Sequence, residues 1–169
     1  ARATAAHSTA TLNDTSSARF SHSPRVSNLV GSPLVGGPRN VPCHRDDGQD
    51  HQRFTASHDG YVQRFGIVHE RTLTLSNGGN LLEGRDSFLR PGGEAVNNNG
   101  RDFVTIRFHL HPEIKLFNTE DRLVLTADNA DSWAFTCGDI VPEIEESIYF
   151  AGLGGPRISR QLVLMFKAS

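Results

Sequence analysis

Phe103-Val104-Thr105-Ile106-Arg107-Phe108-His109-Leu110-His111 alternates along its whole length. Successive side chains of an extended strand point to opposite faces. Val104, Ile106, Phe108 and Leu110 therefore share one face, and Phe103, Thr105, Arg107, His109 and His111 share the other. Pro112 closes the segment, since it has no N–H to give to a ladder. Downstream, Lys115–Thr119, Arg122–Thr126, Ser132–Cys137, Glu143–Phe150 and Ile158–Phe166 follow at short, regular spacing. Asp128-Asn129-Ala130-Asp131 separates two of them, and Gly152, Gly154, Gly155 and Pro156 mark the last turn. Upstream, Val68–Ser76 alternates with Leu73 and Leu75 on one face. Asn77-Gly78-Gly79-Asn80 is a hairpin turn of the Asn-Gly kind, Leu81–Phe88 is the returning strand, and an Asn- and Gly-rich loop fills 91–100. Gln52–Ser57 is a further short strand. No amphipathic helix, internal repeat or charge run interrupts the pattern. The expectation is an all-β chain, a multistranded antiparallel β-sandwich.

The first fifty residues are less regular. Residues 7–12 suggest a short strand ending in an Asx-type turn at Asn13 and Asp14. Residues 21–50 hold Pro24, Pro33, Pro38 and Pro42 with Gly31, Gly36 and Gly37 and follow no strong period, so they read as a loop or a pair of poorly specified strands. The chain thus reads as a single domain over 1–169, loop-rich over 1–51 and regularly stranded over 52–169.

At 169 residues the chain can bury one core. A net charge of −2 and a pI of about 6.5 rule out a general clamp for nucleic acid, so an acidic ligand must be met by local arginines and histidines. Cys43 and Cys137 have no CxxC partner, which excludes a zinc ribbon and leaves either one long-range disulfide or two free thiols. No apolar run approaches the ~20 residues of a transmembrane helix, and no signal peptide is recognisable. The chain opens on Ala and reads as the middle of a longer one, a cut-out domain.

The chemistry concentrates in histidines, 8 in all, and in one loop. Ala56-Ser57-His58-Asp59-Gly60-Tyr61-Val62-Gln63-Arg64-Phe65-Gly66-Ile67-Val68-His69-Glu70-Arg71 combines a tight turn at Asp59-Gly60 with two histidines, a tyrosine and two arginines. Dense polar loops held by strands are where binding residues tend to sit. His58, Tyr61, Arg64, His69 and Arg71 are candidates to line a sugar-binding surface, with arginine supplying bidentate charge for a carboxylated sugar. The plain alternative is that His69 and Arg71 form cross-strand polar pairs on a wet sheet face. His109 and His111, two apart on one strand, could present two metal ligands as in a cupin-like metal enzyme, yet no third ligand follows at a suitable spacing. Their other reading is a groove-lining or hydrogen-bonded role. Trp133 alternates with Phe135 and is expected in the core, which argues against a dedicated sugar-binding module with exposed aromatic platforms. His7 alone reads as an ordinary exposed histidine. No nucleophile elbow, phosphate loop, HExxH or paired-carboxylate motif is present.

Arg2-x-Thr4-Ala5-Ala6-His7-Ser8-Thr9 resembles a segment of the heparinase II/III-type polysaccharide lyases, often R-x-T-x-A-H-N-T, inside their C-terminal β-sandwich. Ala56-Ser57-His58-Asp59-Gly60-Tyr61 with Phe65-Gly66-x-x-His69-x-Arg71, then Phe108-His109-Leu110-His111-Pro112, then Glu145-Glu146-Ser147 with Gly155-Pro156-Arg157, resemble later blocks of that family in the same order. The resemblance implies an N-terminal α/α toroid before the sandwich, an acidic polysaccharide as substrate and β-elimination at a uronic acid. It implies a divalent metal, zinc or calcium, in the intact enzyme, with His7 as a metal ligand whose partners lie upstream and none held by the fragment alone. The family's proton-transfer residues would also lie before residue 1, leaving the fragment inactive by itself. Ser8 stands where Asn is more usual. A bacterial periplasm or cell envelope follows from the same resemblance. A non-catalytic carbohydrate-binding or packing sandwich remains the alternative.

Overall fold

The computed structural model describes residues 2–21, 23–25, 28, 31–96, 101–119, 122–150 and 154–168. Its strands are β1 (Ala10–Leu12), β2 (Arg19–Phe20), β3 (Leu34–Gly36), β4 (Cys43–Asp47), β5 (His51–Tyr61), β6 (Ile67–Ser76) and β7 (Leu81–Leu89). They continue with β8 (Phe103–His109), β9 (Lys115–Asn118), β10 (Leu123–Thr126), β11 (Ser132–Phe135), β12 (Glu143–Tyr149) and β13 (Arg157–Lys167). One helical turn, α1 (Val62–Phe65), joins β5 to β6. All strand pairs are antiparallel, in four-stranded sheets of order β1-β8-β13-β12 and β4-β5-β6-β7, a three-stranded sheet β11-β10-β9 and the pair β2-β3. The chain is an all-β antiparallel sandwich.

The alternation of 103–111 decides what becomes core. Ile106 lies opposite Ala10 on one side and Leu164 on the other, and Val104 lies opposite Leu12. Ala10, Leu12, Val104, Ile106 and Leu164 form one buried cluster with Tyr61 and Ile67 from the second large sheet and with Val96 and Ala168. Full burial of such side chains is worth about 1.5–3 kcal/mol each. The turn formers behave as their chemistry requires. Asn13 and Asp14 take left-handed φ values of 46° and 51°. The Asn13 carboxamide then accepts the Phe103 N–H at 2.8 Å and donates to Asp102 at 2.7 Å, tying β1 to the start of β8.

At four places the structure changes an expectation or settles one left open: the Asp59-Gly60 turn and Trp133 are corrections, and the strands within 21–50 and the free thiols are each one of two alternatives. The tight turn does not fall at Asp59-Gly60, because β5 runs on through both residues with a register shift between His58 and Tyr61. The reversal is made by α1 and by Gly66, whose φ of 66° is open to a residue without Cβ and whose N–H caps the Val62 carbonyl at 2.8 Å. Residues 34–36 and 43–47 of the loop-like segment are strands held by the partners that the fold brings to them, β2 for one and β5 for the other. Trp133 is 46% exposed, not core: it sits on β11, an edge strand of the smallest of the multistranded sheets, while Phe135 on the same face packs against the core. Both cysteines are free thiols, Cys43 exposed and Cys137 half-buried. Parts of 21–50, residues 97–100 of the Asn- and Gly-rich loop, and Gly152 of the last turn lie outside the described residues. No helix among the described residues is long and apolar enough to cross a membrane.

Candidate functional site

The β6–β7 hairpin sets the first part of the site. Its turn places Ser76 opposite Leu81, and counting back along the ladder puts Arg71 opposite Asp86 and His69 opposite Phe88. Across the other edge of β6, His58 of β5 lies opposite His69. Four polar side chains thus meet on one sheet face. Arg71 grips Asp86 with two parallel bonds, Nε to Oδ1 at 2.8 Å and Nη2 to Oδ2 at 2.9 Å. His69 Nε2 approaches Asp86 Oδ1 at 2.6 Å, and its Nδ1 lies 3.3 Å from His58 Nε2. The His69 ring stacks on Phe88 with centroids 5.1 Å apart.

Hydrogen-bond logic fixes the tautomers. An ionised carboxylate only accepts, so His69 donates from Nε2 and accepts at Nδ1. His58 then donates from Nε2, and its Nδ1 accepts the Gly60 N–H at 3.2 Å. The chain of bonds is closed in these tautomers, and a proton on His58 Nδ1 would face another donor. Burial, and after it the neighbouring His69, push the His58 pKa down to about 4, against a weaker opposing pull from Asp59. For Asp86, burial pushes upward, but the bonds from His69 and Arg71 and the Arg71 charge outweigh it and hold the carboxyl below its usual range.

This relay holds the amino-terminal segment. Arg71 Nη1 donates to the Ser8 carbonyl at 2.6 Å, and its guanidinium lies 5.7 Å from the Phe108 ring centre on the facing sheet. Ser8 Oγ accepts the His109 N–H at 2.9 Å. His109 donates from Nε2 to the Ala5 carbonyl at 3.0 Å and accepts at Nδ1 from Ser147 at 2.8 Å. His7, between Ala5 and Ser8, is exposed.

On the other side of Gly60 lies a cleft of about 990 Å³. Arg2, Arg19, Arg39 and Arg64 line it with a single carboxylate, Asp59, and with Phe20 and Phe65. Backbone N–H groups of Arg39 and Asn40 donate to Asp59 at 2.7 and 3.2 Å and lower its pKa. A Cβ at position 60 would stand 2.9 Å from the Ser17 carbonyl oxygen, so the floor of this cleft needs glycine.

A family profile described as heparinase II/III-like, C-terminal, matches residues 1–169, the whole chain. The chain belongs to the heparinase II/III-like family. Among curated proteins and among solved structures it has no match.

The residues singled out in the sequence of this heparinase II/III-like domain separate into two groups. His58, His69 and Arg71 come together, joined by Asp86, which sequence reading missed although the hairpin turn fixes it opposite Arg71. Tyr61 is 1% exposed and its hydroxyl donates to the Ala10 carbonyl at 2.9 Å, so neither ring face nor hydroxyl faces a ligand. Burial raises its pKa to about 12. Of the five, Arg64 and the buried Tyr61 line the cleft, and only Arg64 brings charge to it, beside Arg2, Arg19 and Arg39, which had given no periodic signal. His109 and His111 do not act as a pair: β8 ends at His109, whose ring nitrogens are both engaged, while His111 stands edge-on to Tyr149 at 4.8 Å. Among the described residues no three His, Cys, Asp or Glu are placed to hold a metal ion. A lone imidazole such as His7 does not make a zinc site, so the described residues do not by themselves fit a divalent metal of the kind the resemblance implies, and no chemical step is assigned to one.

Proposed function

We propose that this domain is the β-sandwich wall of a polysaccharide lyase acting on uronic-acid-containing polysaccharide, with an N-terminal helical toroid as its partner in the intact enzyme. In β-elimination a base removes the proton at C5 of the uronic acid, the C4–O bond breaks, and an acid protonates the leaving oxygen. Positive charge and hydrogen bonds at the sugar carboxylate acidify that proton. In this reading the base and acid come from the toroid, and the sandwich supplies two things. Arg64 contacts the anionic sugar. His58, His69, Asp86 and Arg71 position the Ala5–Ser8 segment so that His7 is presented to the partner, where it would serve as one ligand of the divalent metal. The observation that carries the reading, beside the family match, is the bond from Arg71 to the Ser8 carbonyl, which joins the two blocks of family-like sequence in space.

The test is a full-length enzyme incubated with uronide polysaccharides. Elimination leaves a C4=C5 double bond conjugated to the carboxylate, read by its ultraviolet absorbance. Arg64→Ala should raise KM with kcat kept, and Arg71→Ala should lower kcat. Absence of the unsaturated product with every acidic polysaccharide tried would contradict the reading. A packing sandwich is the second reading, favoured by the apolar surface at Phe54, Leu73 and Leu82, which are 45%, 37% and 57% exposed. It predicts that neither substitution separates KM from kcat.

A further inference from the structure

Of the four arginines of the cleft only Arg2 falls within a family-like block. In a chain whose net charge is −2, they put four guanidinium groups against one carboxylate. Among the described residues none of the four is paired with an acidic side chain, whereas Arg45, Arg71, Arg107 and Arg157 all are. The one carboxylate present, Asp59, is spent on backbone amides of Arg39 and Asn40.

Three of the four guanidinium groups, those of Arg2, Arg19 and Arg64, are held by contacts that leave their charge in place. Arg2 lies over the Phe20 ring and Arg64 over the Phe65 ring, each 5.4 Å from the centroid, and Arg2 also donates to the Ser32 carbonyl. Ring faces orient a cation without neutralising it. Arg19 lies against β3: a Cβ at position 36 would stand 3.0 Å from its Nε and Nη2, so Gly36 makes room for the fork. A planar fork with parallel N–H groups fits planar or tetrahedral oxyanions in a way that a lysine does not. Like charges gathered without counter-charges raise each other's energy, and an anion with several spaced charges relieves all of them at once.

We propose that this cleft binds a polyanionic glycan segment by its successive anionic oxygens, carboxylate or sulfate ester, through Arg2, Arg19, Arg39 and Arg64, and that it does so without the helical partner. The class of ligand rests on the polysaccharide reading above; the location of the site does not. The experiment is calorimetric titration of the 169-residue chain at low and high salt with three size-matched probes, a heparin oligosaccharide, an oligogalacturonate and a neutral dextran oligomer. Both anionic probes or one of them should bind, with affinity falling as salt rises, and dextran should not. The order of the two anionic probes tells sulfate from carboxylate recognition. The double substitution Arg19→Gln/Arg64→Gln should weaken binding at least tenfold and flatten its salt dependence, while Arg45→Gln/Arg157→Gln should leave both within twofold. Hydrogen exchange on the unsubstituted chain gives an answer that does not depend on how the variants fold: the bound probe should protect amides within 15–20 and 59–65. Equal loss in the two double variants, protection elsewhere, or no binding of either anionic probe at low salt overturns the proposal. If those results came with normal elimination by the full-length enzyme, the cleft assignment would fall and the lyase reading would stand.

Discussion

Arg64 and Arg71 lie seven residues apart in the sequence, and the fold uses them in opposite ways. Arg71 enters a sheet face, meets a carboxylate bidentately and has 18% of its side chain exposed. Arg64 sits on the helical turn between the same two strands, lies over a phenyl ring and lines an open cleft without an acidic partner among the described residues. The difference lies in what the register brings opposite. A cation facing Asp86 across a buried ladder becomes part of the framework, and a cation left without a carboxylate stays available to a ligand. The relay and the cleft therefore divide the work between holding the amino-terminal segment and offering charge.

The sharpest way to break this division is at Asp86. Asp86→Ala leaves Arg71 and His69 in place without their shared acceptor, and stranding a buried charge costs about 3–5 kcal/mol. A fall of the urea midpoint by that equivalent, with anionic-glycan affinity kept in the folded protein, is the expected result; an unchanged midpoint would mean that the relay is ornamental. Next comes Gly60, the residue between the two regions. Gly60→Ala drives a methyl group to within 2.9 Å of the Ser17 carbonyl and 3.0 Å of Pro38, an overpacking worth about 1–3 kcal/mol. Because it pushes on the cleft floor and on the Nδ1 contact of His58 together, it should lower both stability and glycan affinity, unlike any other substitution considered.

Acid separates the regions without mutation. The His58 pKa is about 4 in the folded chain and 6.5 when free, so the unfolded state binds more protons between those values and stability falls as pH drops from 6.5 toward 4. The full shift corresponds to about 3 kcal/mol, and the partial exposure of the ring reduces this to about 1–2 kcal/mol. Asp86 acts lower down: its stabilising effect is complete above the ordinary carboxylate pKa and is lost as pH falls through its lowered folded value. Urea midpoints across this range should show the upper step, and His58→Gln should remove it while leaving the lower one. Tyr61→Phe deletes the hydroxyl bond to the Ala10 carbonyl and should cost about 1 kcal/mol by the same measurement. Arg64→Gln should change stability least, within about 0.5 kcal/mol, as for other exposed substitutions.

The strands were legible because alternation is a local signal. Val68–Ser76, Leu81–Phe88 and Phe103–His111 needed no partner to be read, and β6, β7 and β8 match them closely. The relay was half legible: His58, His69 and Arg71 stand out by type, and Asp86 follows from the hairpin turn once Ser76 is paired with Leu81. What could not be read was whether that face is wet or buried, since Tyr61 and His69 look like site residues until the facing sheet covers them. Trp133 failed in the reverse sense, because an edge strand exposes the same alternation that a central strand buries. The cleft was out of reach for another reason. Arg2, Arg19, Arg39 and Arg64 are scattered over the irregular leading part and one turn, and only the pairing of β2 with β3 and of β4 with β5 gathers that part together.

The most direct test compares Arg71→Gln with Arg64→Gln in one pair of assays, urea midpoint and affinity for an anionic oligosaccharide, on the same preparations. The division of labour predicts that Arg71→Gln lowers the midpoint and keeps the affinity of the folded chain within twofold, while Arg64→Gln keeps the midpoint and loses affinity several-fold. If both substitutions moved the same quantity, or if the two effects were exchanged, the assignment of framework to one arginine and ligand to the other would be contradicted.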